Sequence, residues 1–410
     1  MLSFEDQLAT TPFALEEYIT LPVLGGELLV FEGQFTLNSG EKECVVSGKV
    51  FYSFCEKIEL LFEGNTAIKN PLDWIGKTAD INADGNLLGE ALVLQIQGDR
   101  IKGSVTQIEN KQSAYCERFK WCYLNAPKIF GDSVKRGRTI SIDRLAFQAG
   151  DYQIIYENVA GYQEQKNHRA ISHICELIRR DGRPISTEVA LDEIRLFSRF
   201  VSFFAGCQHA PFFIVGIDAD NVNYSFHAIA PDRSLVGVSS WKPDFKEKDL
   251  VGLWPKFRAK REESQDQYDA LNTLIHWYLS ANMNDGLLEG AYILGFAGIQ
   301  LLSFEIIGKE LDNNKVIVDD LFSRLNLDAH MNAGDISSMR NWLAHYVGQN
   351  RVEYQRLDHN DKTSRLETLL QVLELAILFW LGYDGHFSNR LGSKWRGAAV
   401  ALVPWLTSIT

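Results

Sequence analysis

Cysteine is scarce in this chain, and positive charge is outweighed. Six cysteines occur among 410 residues, the last at Cys207, and no Cys-x-x-Cys is present; Cys116 and Cys122 are the closest pair. That excludes a zinc ribbon and a thioredoxin-like motif. Lysine and arginine total 41 against 53 aspartates and glutamates, a net charge of −12. Proteins coated in nucleic acid carry a basic balance. The deficit argues against that class and leaves room for an enzyme that grips RNA at one cleft. Long apolar runs are also missing. The most apolar stretch, Leu373 to Leu381, is shorter than the roughly 20 residues that span a bilayer. The N-terminus, MLSFEDQLATTP, lacks the basic and apolar regions of a signal peptide. A soluble protein of a reducing cytoplasm, with no membrane partner, is expected.

Motifs for metals and phosphates begin and then fail. Asp80-x-Asn82-x-Asp84-Gly85 copies the first half of an EF-hand loop, but the closing glutamate is replaced by Ala91. A hairpin turn fits better. Gly76-Lys77-Thr78 ends like a P-loop, yet the earlier glycine it needs is Pro71. Cys207 and His209 are neighbours, but Phe203, Phe204, Phe212 and Phe213 surround them in sequence. That setting reads as a buried structural cysteine rather than a nucleophile. No metal or cofactor is expected.

What is present is ordinary globular texture, with 46% hydrophobic and 23% charged residues. Up to about Gly150, short segments rich in Val, Ile, Leu and Phe alternate with turn formers. Glu27–Phe35, Glu43–Phe51, Glu90–Ile96 and Arg100–Ile108 read as strands, with turns at Asn38-Ser39-Gly40, Glu63-Gly64-Asn65 and Gly98-Asp99. Ser186 to Gly206 reads as a capped helix, flanked by extended segments at Tyr152–Tyr156, Pro211–Ile217 and Tyr224–Ile229. Beyond Trp254 come five longer periodic segments: Ser264–Ala281, Leu287–Leu311, Lys315–Leu327, Asp335–Val347 and Lys362–Leu381. These have the lengths and apolar spacing of a helical bundle. The expected fold is α+β and multidomain. A β-rich N-terminal domain (1–150, a sandwich or open barrel) is followed by a mixed α/β segment (151–254). An all-α bundle (255–385) and a tail packing on it (386–410) complete the chain.

One constellation carries chemistry. Arg340-x4-His345 is a cheap spacing: with 21 arginines and nine histidines, chance supplies it about once in two such chains. The same region holds a decoy, Arg324-x5-His330. Three features separate the two. Asn341 follows Arg340 directly, the motif lies on a short helix with Asp335 as N-cap and Gly348 just past its end, and that helix comes late in the bundle. On a helical wheel, Ile336, Met339, Trp342, Leu343, Tyr346 and Val347 form a core-facing stripe. Asn341 and His345 share another face, so the amide can orient the imidazole. Arg340 lies roughly 140° from His345, and a second copy of the motif in a dimer would complete a site. The competing structural account makes Arg340 a salt-bridge partner and His345 a helix C-terminal cap favoured by the helix dipole.

With Arg340-Asn341-Trp342-Leu343-Ala344-His345, the C-terminal third resembles the HEPN superfamily. Its catalytic motif is Arg-x4–6-His with a polar residue after the Arg. The wider chain is similar to the ApeA-like branch of anti-phage proteins. The likeness rests on the β-rich start, the helix leading into RFVSFFAG, Leu301–Glu305 (LLSFE), RNWLAHY and Val403–Trp405 (VPW). The resemblance implies a HEPN-type helical bundle that dimerises and cuts RNA, with tRNA as substrate, without a metal. The RNA's 2′-OH attacks the adjacent phosphate, leaving a 2′,3′-cyclic phosphate and a 5′-OH. His345 would move the proton, its ordinary pKa near 6.5 suiting neutral pH. Arg340 would stabilise the phosphorane charge, and Asn341 would hold the histidine or the phosphate. The implied setting is antiviral defence by abortive infection, in which a phage-derived trigger releases a restrained toxin and the N-terminal region senses or restrains.

Further residues could line an RNA track. Lys256, Arg258, Lys260 and Arg261 cluster at the start of the bundle, and Arg390, Lys394 and Arg396 flank Trp395 in the tail. Cations interleaved with an aromatic bind backbone and stack a base. Tyr346 could stack too, though its wheel position favours the core, and Glu305 could reach Arg340. The alternative reading is a non-catalytic HEPN-like dimerisation or nucleotide- or partner-binding module with a β-rich recognition domain. A carbohydrate- or peptide-binding β domain with a helical oligomerisation tail is a further rival.

Overall fold

Period-two alternation builds the first half of the molecule. In the segment Thr78–Ala83, Ala79, Ile81 and Ala83 are buried while Thr78, Asp80 and Asn82 face out, as a strand with one solvated side requires. The structure is a computed structural model and describes residues 9–10, 26–54, 58–68, 70–83, 87–136, 139–159, 171–219, 221–228, 239–283, 287–309, 313–327, 333–392 and 399–407. A two-residue strand, β1 (Ala9–Thr10), precedes β2 (Glu27–Ser39), β3 (Lys42–Phe54), β4 (Ile58–Asn65), β5 (Thr78–Ala83), β6 (Leu87–Gln97) and β7 (Arg100–Lys111). Strands β2 to β7 pair antiparallel in the order β2-β3-β4-β7-β6-β5, and β5 returns to β2 through Leu37↔Ile81. The expected sandwich or open barrel is therefore a closed six-stranded barrel. Phe35, Leu37, Val46, Phe62, Ile81, Val93 and Ile101 form its core.

Glu63-Gly64-Asn65, expected as a turn, lies within β4. Gly64 stands opposite Gly48 of β3, which stands opposite Gly33 of β2. A side chain on Gly48 would overlap the Glu63 carbonyl oxygen, and one on Gly64 would strike Val46 and Ser47. The glycines serve close approach of backbones where the sheet coils.

The barrel passes directly into a second sheet; the next elements are β8 (Tyr115–Cys116), β9 (Arg118–Leu124), β10 (Asp132–Arg136), β11 (Thr139–Ala149), β12 (Tyr152–Asn158), β13 (Ile171–Arg179), β14 (Ile185–Ser186), α1 (Thr187–Ala205), β15 (Phe212–Asp218) and β16 (Asn221–Ala228), of which β8 and β14 form a separate two-stranded ribbon. Strand β7 is shared: residues 100–104 pair with β4 and residues 107–111 with β16. From there the order runs β16-β15-β9-β13-β12-β11-β10. Helix α1 has the expected caps, with Ser186 accepting from the Val189 N–H and Gly206 in the left-handed region at φ 73°. It lays Phe197 and Phe200 against Phe147, at ring separations of 5.1 and 5.8 Å. Each such buried aromatic is worth about 1.5–3 kcal/mol over exposure.

The remaining helices are α2 (Asp249–Glu263), α3 (Gln265–Met283), α4 (Leu288–Ile307), α5 (Asn314–Leu325), α6 (Ala333–Ala344), α7 (Gly348–Arg356) and α8 (His359–Trp380), followed by a β17 (His386–Ser388) and β18 (Val400–Leu402) hairpin and α9 (Pro404–Thr407). Five of the seven long helices match the expected segments; α2 and α7 were not anticipated. Leu250, Leu253, Trp254 and Phe257 of α2 pack into a hydrophobic cluster that runs from Cys116 to Val403. The division expected at 255 thus falls inside α2, and that at 150 falls in the turn between β11 and β12. Helix α4 is long and apolar enough to cross a membrane by length and composition, against the expectation that long apolar runs are missing. Here it packs against α3 and α8. Side chains on Gly295 and Gly298 would press on Leu369 and Leu373 of α8, so the two glycines set that close crossing.

Candidate functional site

Helix α6 carries the Arg340 motif and is anchored at its beginning. Ile336, Ser337 and Met339 are buried, and the Tyr292 hydroxyl of α4 donates to the Ile336 carbonyl at 3.0 Å. Asp335 is not the N-cap, since α6 begins at Ala333; it pairs instead with Arg365 of α8 at 2.9 Å. Arg365 also lies 5.5 Å over the Trp342 ring. Only the first half of the expected stripe is core. Trp342 and Leu343 are half-buried, while Tyr346 and Val347 are 43% and 72% exposed. The helix stops at Ala344, and Gly348, at φ 54°, opens α7 rather than lying beyond a helix that reaches 347.

Arg340 is half-buried, with its guanidinium 5.8 Å from the Phe296 ring centre. It donates to the Asn341 amide oxygen at 3.4 Å. Asn341 does not turn to His345. Its oxygen accepts from Asn314 of α5 at 2.9 Å, so it braces Arg340 against α5. His345 is exposed and lies one residue beyond the helix. Its backbone is fixed: its N–H reaches the Asn341 carbonyl at 3.0 Å, and its own carbonyl accepts from Asn350 at 3.1 Å. Among the described residues Arg340 has no carboxylate partner, and no hydrogen bond joins its side chain to that of His345. Among the described residues one chain therefore presents a guanidinium with no carboxylate partner and, five residues on, an exposed imidazole, with no hydrogen bond between them.

Beside His345 a groove of about 650 Å³ opens between α4 and the end of α6. Glu289, Gly290, Ile293 and Leu294 form one wall, and Leu343, Tyr346 and Tyr354 the other. The Tyr354 hydroxyl donates to Glu289 Oε1, which holds that carboxyl below its usual range. Burial, together with the same carboxylate, pushes the Tyr354 phenol well up. Spacing gave no sign of this groove, because its α4 wall lies some fifty residues upstream of the motif.

Among the described residues, the cations expected to line an RNA track are engaged with other groups. Lys256 donates to the Gly382 carbonyl at 2.6 Å and pairs with Asp384 at 3.1 Å. Arg258 is buried and grips both Glu193 carboxylate oxygens, and Arg261 shares that glutamate. Lys260 pairs with Glu263 at 2.9 Å and sits 4.5 Å over the Trp380 ring. Arg390, with a side chain 1% exposed, binds Glu374 and Glu367. Glu305 accepts from Gln267 rather than Arg340. Lys394 and Arg396, with Trp395, lie outside the described residues, as does the decoy His330. Cys207 is buried as expected, 3.4 Å from His209 Nε2. Among the described residues no cluster of three His, Cys, Asp or Glu could hold a metal.

Residues 111–230 match the family described as the YopA central domain. That interval runs from the end of β7 through β16, so the matched unit is the second sheet with α1, and it crosses residue 150. Along most of its length the chain is similar to the SPbeta prophage-derived uncharacterized protein YopA of Bacillus subtilis (strain 168), at 22% identity over 419 residues, covering 92% of this chain and 95% of that protein. No solved structure matches the chain.

Proposed function

We propose that the chain is a metal-independent endoribonuclease of HEPN type, cutting RNA, with tRNA as the expected substrate, in phage–host conflict. One observation carries the reading. Among the described residues Arg340 has no carboxylate partner, whereas Lys256, Arg258, Lys260, Arg261 and Arg390 are each paired with one, and an exposed His345 follows five residues on. A guanidinium kept bare is suited to a phosphate, and an exposed imidazole to proton transfer. His345 removes the proton from the 2′-OH or supplies one to the departing 5′ oxygen, while Arg340 takes up charge on the phosphorane.

Association of two copies fits the same geometry. Helix α4 is strongly apolar, yet only 44% of its most apolar window is buried, with Phe304 exposed outside the groove. A second copy covering that face would bring a second Arg340–His345 pair near the first. Likeness to a prophage-derived protein supports the phage-related setting, and the barrel and second sheet would then sense or restrain.

The test is cleavage of bulk tRNA in EDTA by wild type, Arg340→Ala and His345→Ala, with oligomeric state checked for each. Expected are cyclic-phosphate ends from wild type and at least about a hundredfold loss in both variants. Cleavage that survives both substitutions overturns the reading. A chain that dimerises but never cuts would favour the binding-module alternative, for which the exposed α4 face is the supporting observation.

A further inference from the structure

We propose that the groove beside His345 takes a guanine base, stacked on Tyr346 and read by Glu289, and thereby selects which phosphodiester is presented to the motif. This rests on the ribonuclease reading and adds the substrate feature the site recognises.

The walls set the size and character of the occupant. Ile293, Leu294 and Leu343 are apolar, and the Tyr346 ring is 43% exposed at the mouth. A flat ring stacks on such a face whatever its sequence, because every base has a π-surface. Tyr346 directly follows His345, so a base held there places its own sugar and phosphate next to the imidazole.

Recognition comes from Glu289. Tyr354 already donates to Oε1, which holds the carboxylate ionised, and an ionised carboxylate can only accept. A ligand must therefore offer donors. Guanine puts two N–H groups side by side on its pairing edge, at N1 and N2. Adenine and cytosine place a ring-nitrogen acceptor beside their amino group, and uracil sets one N–H between two carbonyls. Only guanine meets an acceptor-only carboxylate without turning a lone pair on it.

Cations stand where the backbone would pass. Arg351 lies 5.9 Å from the Tyr346 ring centre, and Lys362 Nζ lies 4.1 Å from that of Tyr354. Neither has a carboxylate within ion-pair distance among the described residues. They can neutralise flanking phosphates, which offsets the repulsion between Glu289 and a polyanion.

The experiment is equilibrium titration of the full-length protein with the four nucleoside 5′-monophosphates, alongside sequencing of RNA ends after cleavage. Guanosine monophosphate is expected to bind about tenfold to a hundredfold tighter than the other three, the discrimination of one bidentate pair. Glu289→Gln should bring all four within about threefold, and Tyr346→Leu, which keeps the groove apolar, should weaken all four together. Equal affinities in the wild type, or a guanine preference that persists in a folded Glu289→Gln, overturns the proposal. So does a Tyr346→Leu variant that loses only self-association. Mononucleotides contain no bond to cut, so the two readings separate. Guanosine binding without RNA cleavage refutes the nuclease and keeps the pocket, whereas cleavage with no base bias does the reverse.

Discussion

At the scale of single residues, the charged groups divide into those that hold the fold and those left for something else. Arg390 belongs to the first set. Its Nε and Nη2 reach Glu374 at 3.1 and 2.5 Å, Nη1 reaches Glu367 at 2.7 Å, and Nη2 also donates to Asn282 at 2.8 Å. The Tyr278 hydroxyl donates to the same Glu374 at 2.6 Å. Arg390→Ala would strand Glu374, which is fully buried, at a cost of about 3–5 kcal/mol. A thermal melt should show the loss, and Arg390→Lys should recover only part of it, because a point charge cannot span two carboxylates. From sequence, Arg390 looked like an RNA contact, since nothing in the tail shows that it folds back onto α8. Arg340, Asn341 and His345 stand out in the sequence because their motif is local. Glu289 was not, because its relation to His345 exists only once α4 and α6 are packed.

At the scale of elements, legibility followed how much of the signal is local. Helix α1 announced both ends through Ser186 and Gly206 and a dense apolar face. Helix α2 did not, because it contains Gly252 and Pro255 and its second half, KFRAKREE, is strongly polar. Its buried residues Leu250, Leu253, Trp254 and Phe257 nevertheless keep helical spacing. Helix α7 buries only Tyr354, so it has almost no apolar periodicity to detect. Gly64 misled for a different reason: glycine marks turns, but here it lets β3 and β4 approach. Gly48→Ala, which would drive a methyl group into the Glu63 carbonyl, should destabilise the barrel by at least about 1–3 kcal/mol. The measurement is a lower urea midpoint with an unchanged slope. Gly40→Ala meets no packing contact and should cost less, its strain coming from a φ of 63° alone.

At the scale of the whole molecule, a β-rich first half and a helical second half were visible in the texture of the chain. Closure of the barrel and the sharing of β7 were not, since the pairs that make them, such as Leu37↔Ile81 and Phe226↔Glu109, join strands far apart in sequence. Burial across these joints also governs acid stability. His227 sits among Tyr52 and Phe213, and burial pushes its pKa down to about 3; His173, stacked on Tyr156, is likewise held well below the usual range by burial. Unfolded imidazoles take up protons as pH falls through about 6.5, whereas the folded ones resist. Stability from both is complete above that pH and declines as pH drops below it, for His227 toward about 3. The melting temperature should be flat from about pH 8 to 7 and fall below about 6, and His227→Phe should flatten the slope.

The hub around Arg390 also has a consequence for the order in which the protein is made. Glu374 leaves the ribosome before its counter-charge does, so α3 and α8 enclose an uncompensated carboxylate until the tail has followed. Maturation of the candidate cutting domain is thereby tied to synthesis through residue 390. A message broken upstream of codon 390 yields a chain with an uncompensated buried carboxylate, fit for proteolysis rather than for activity.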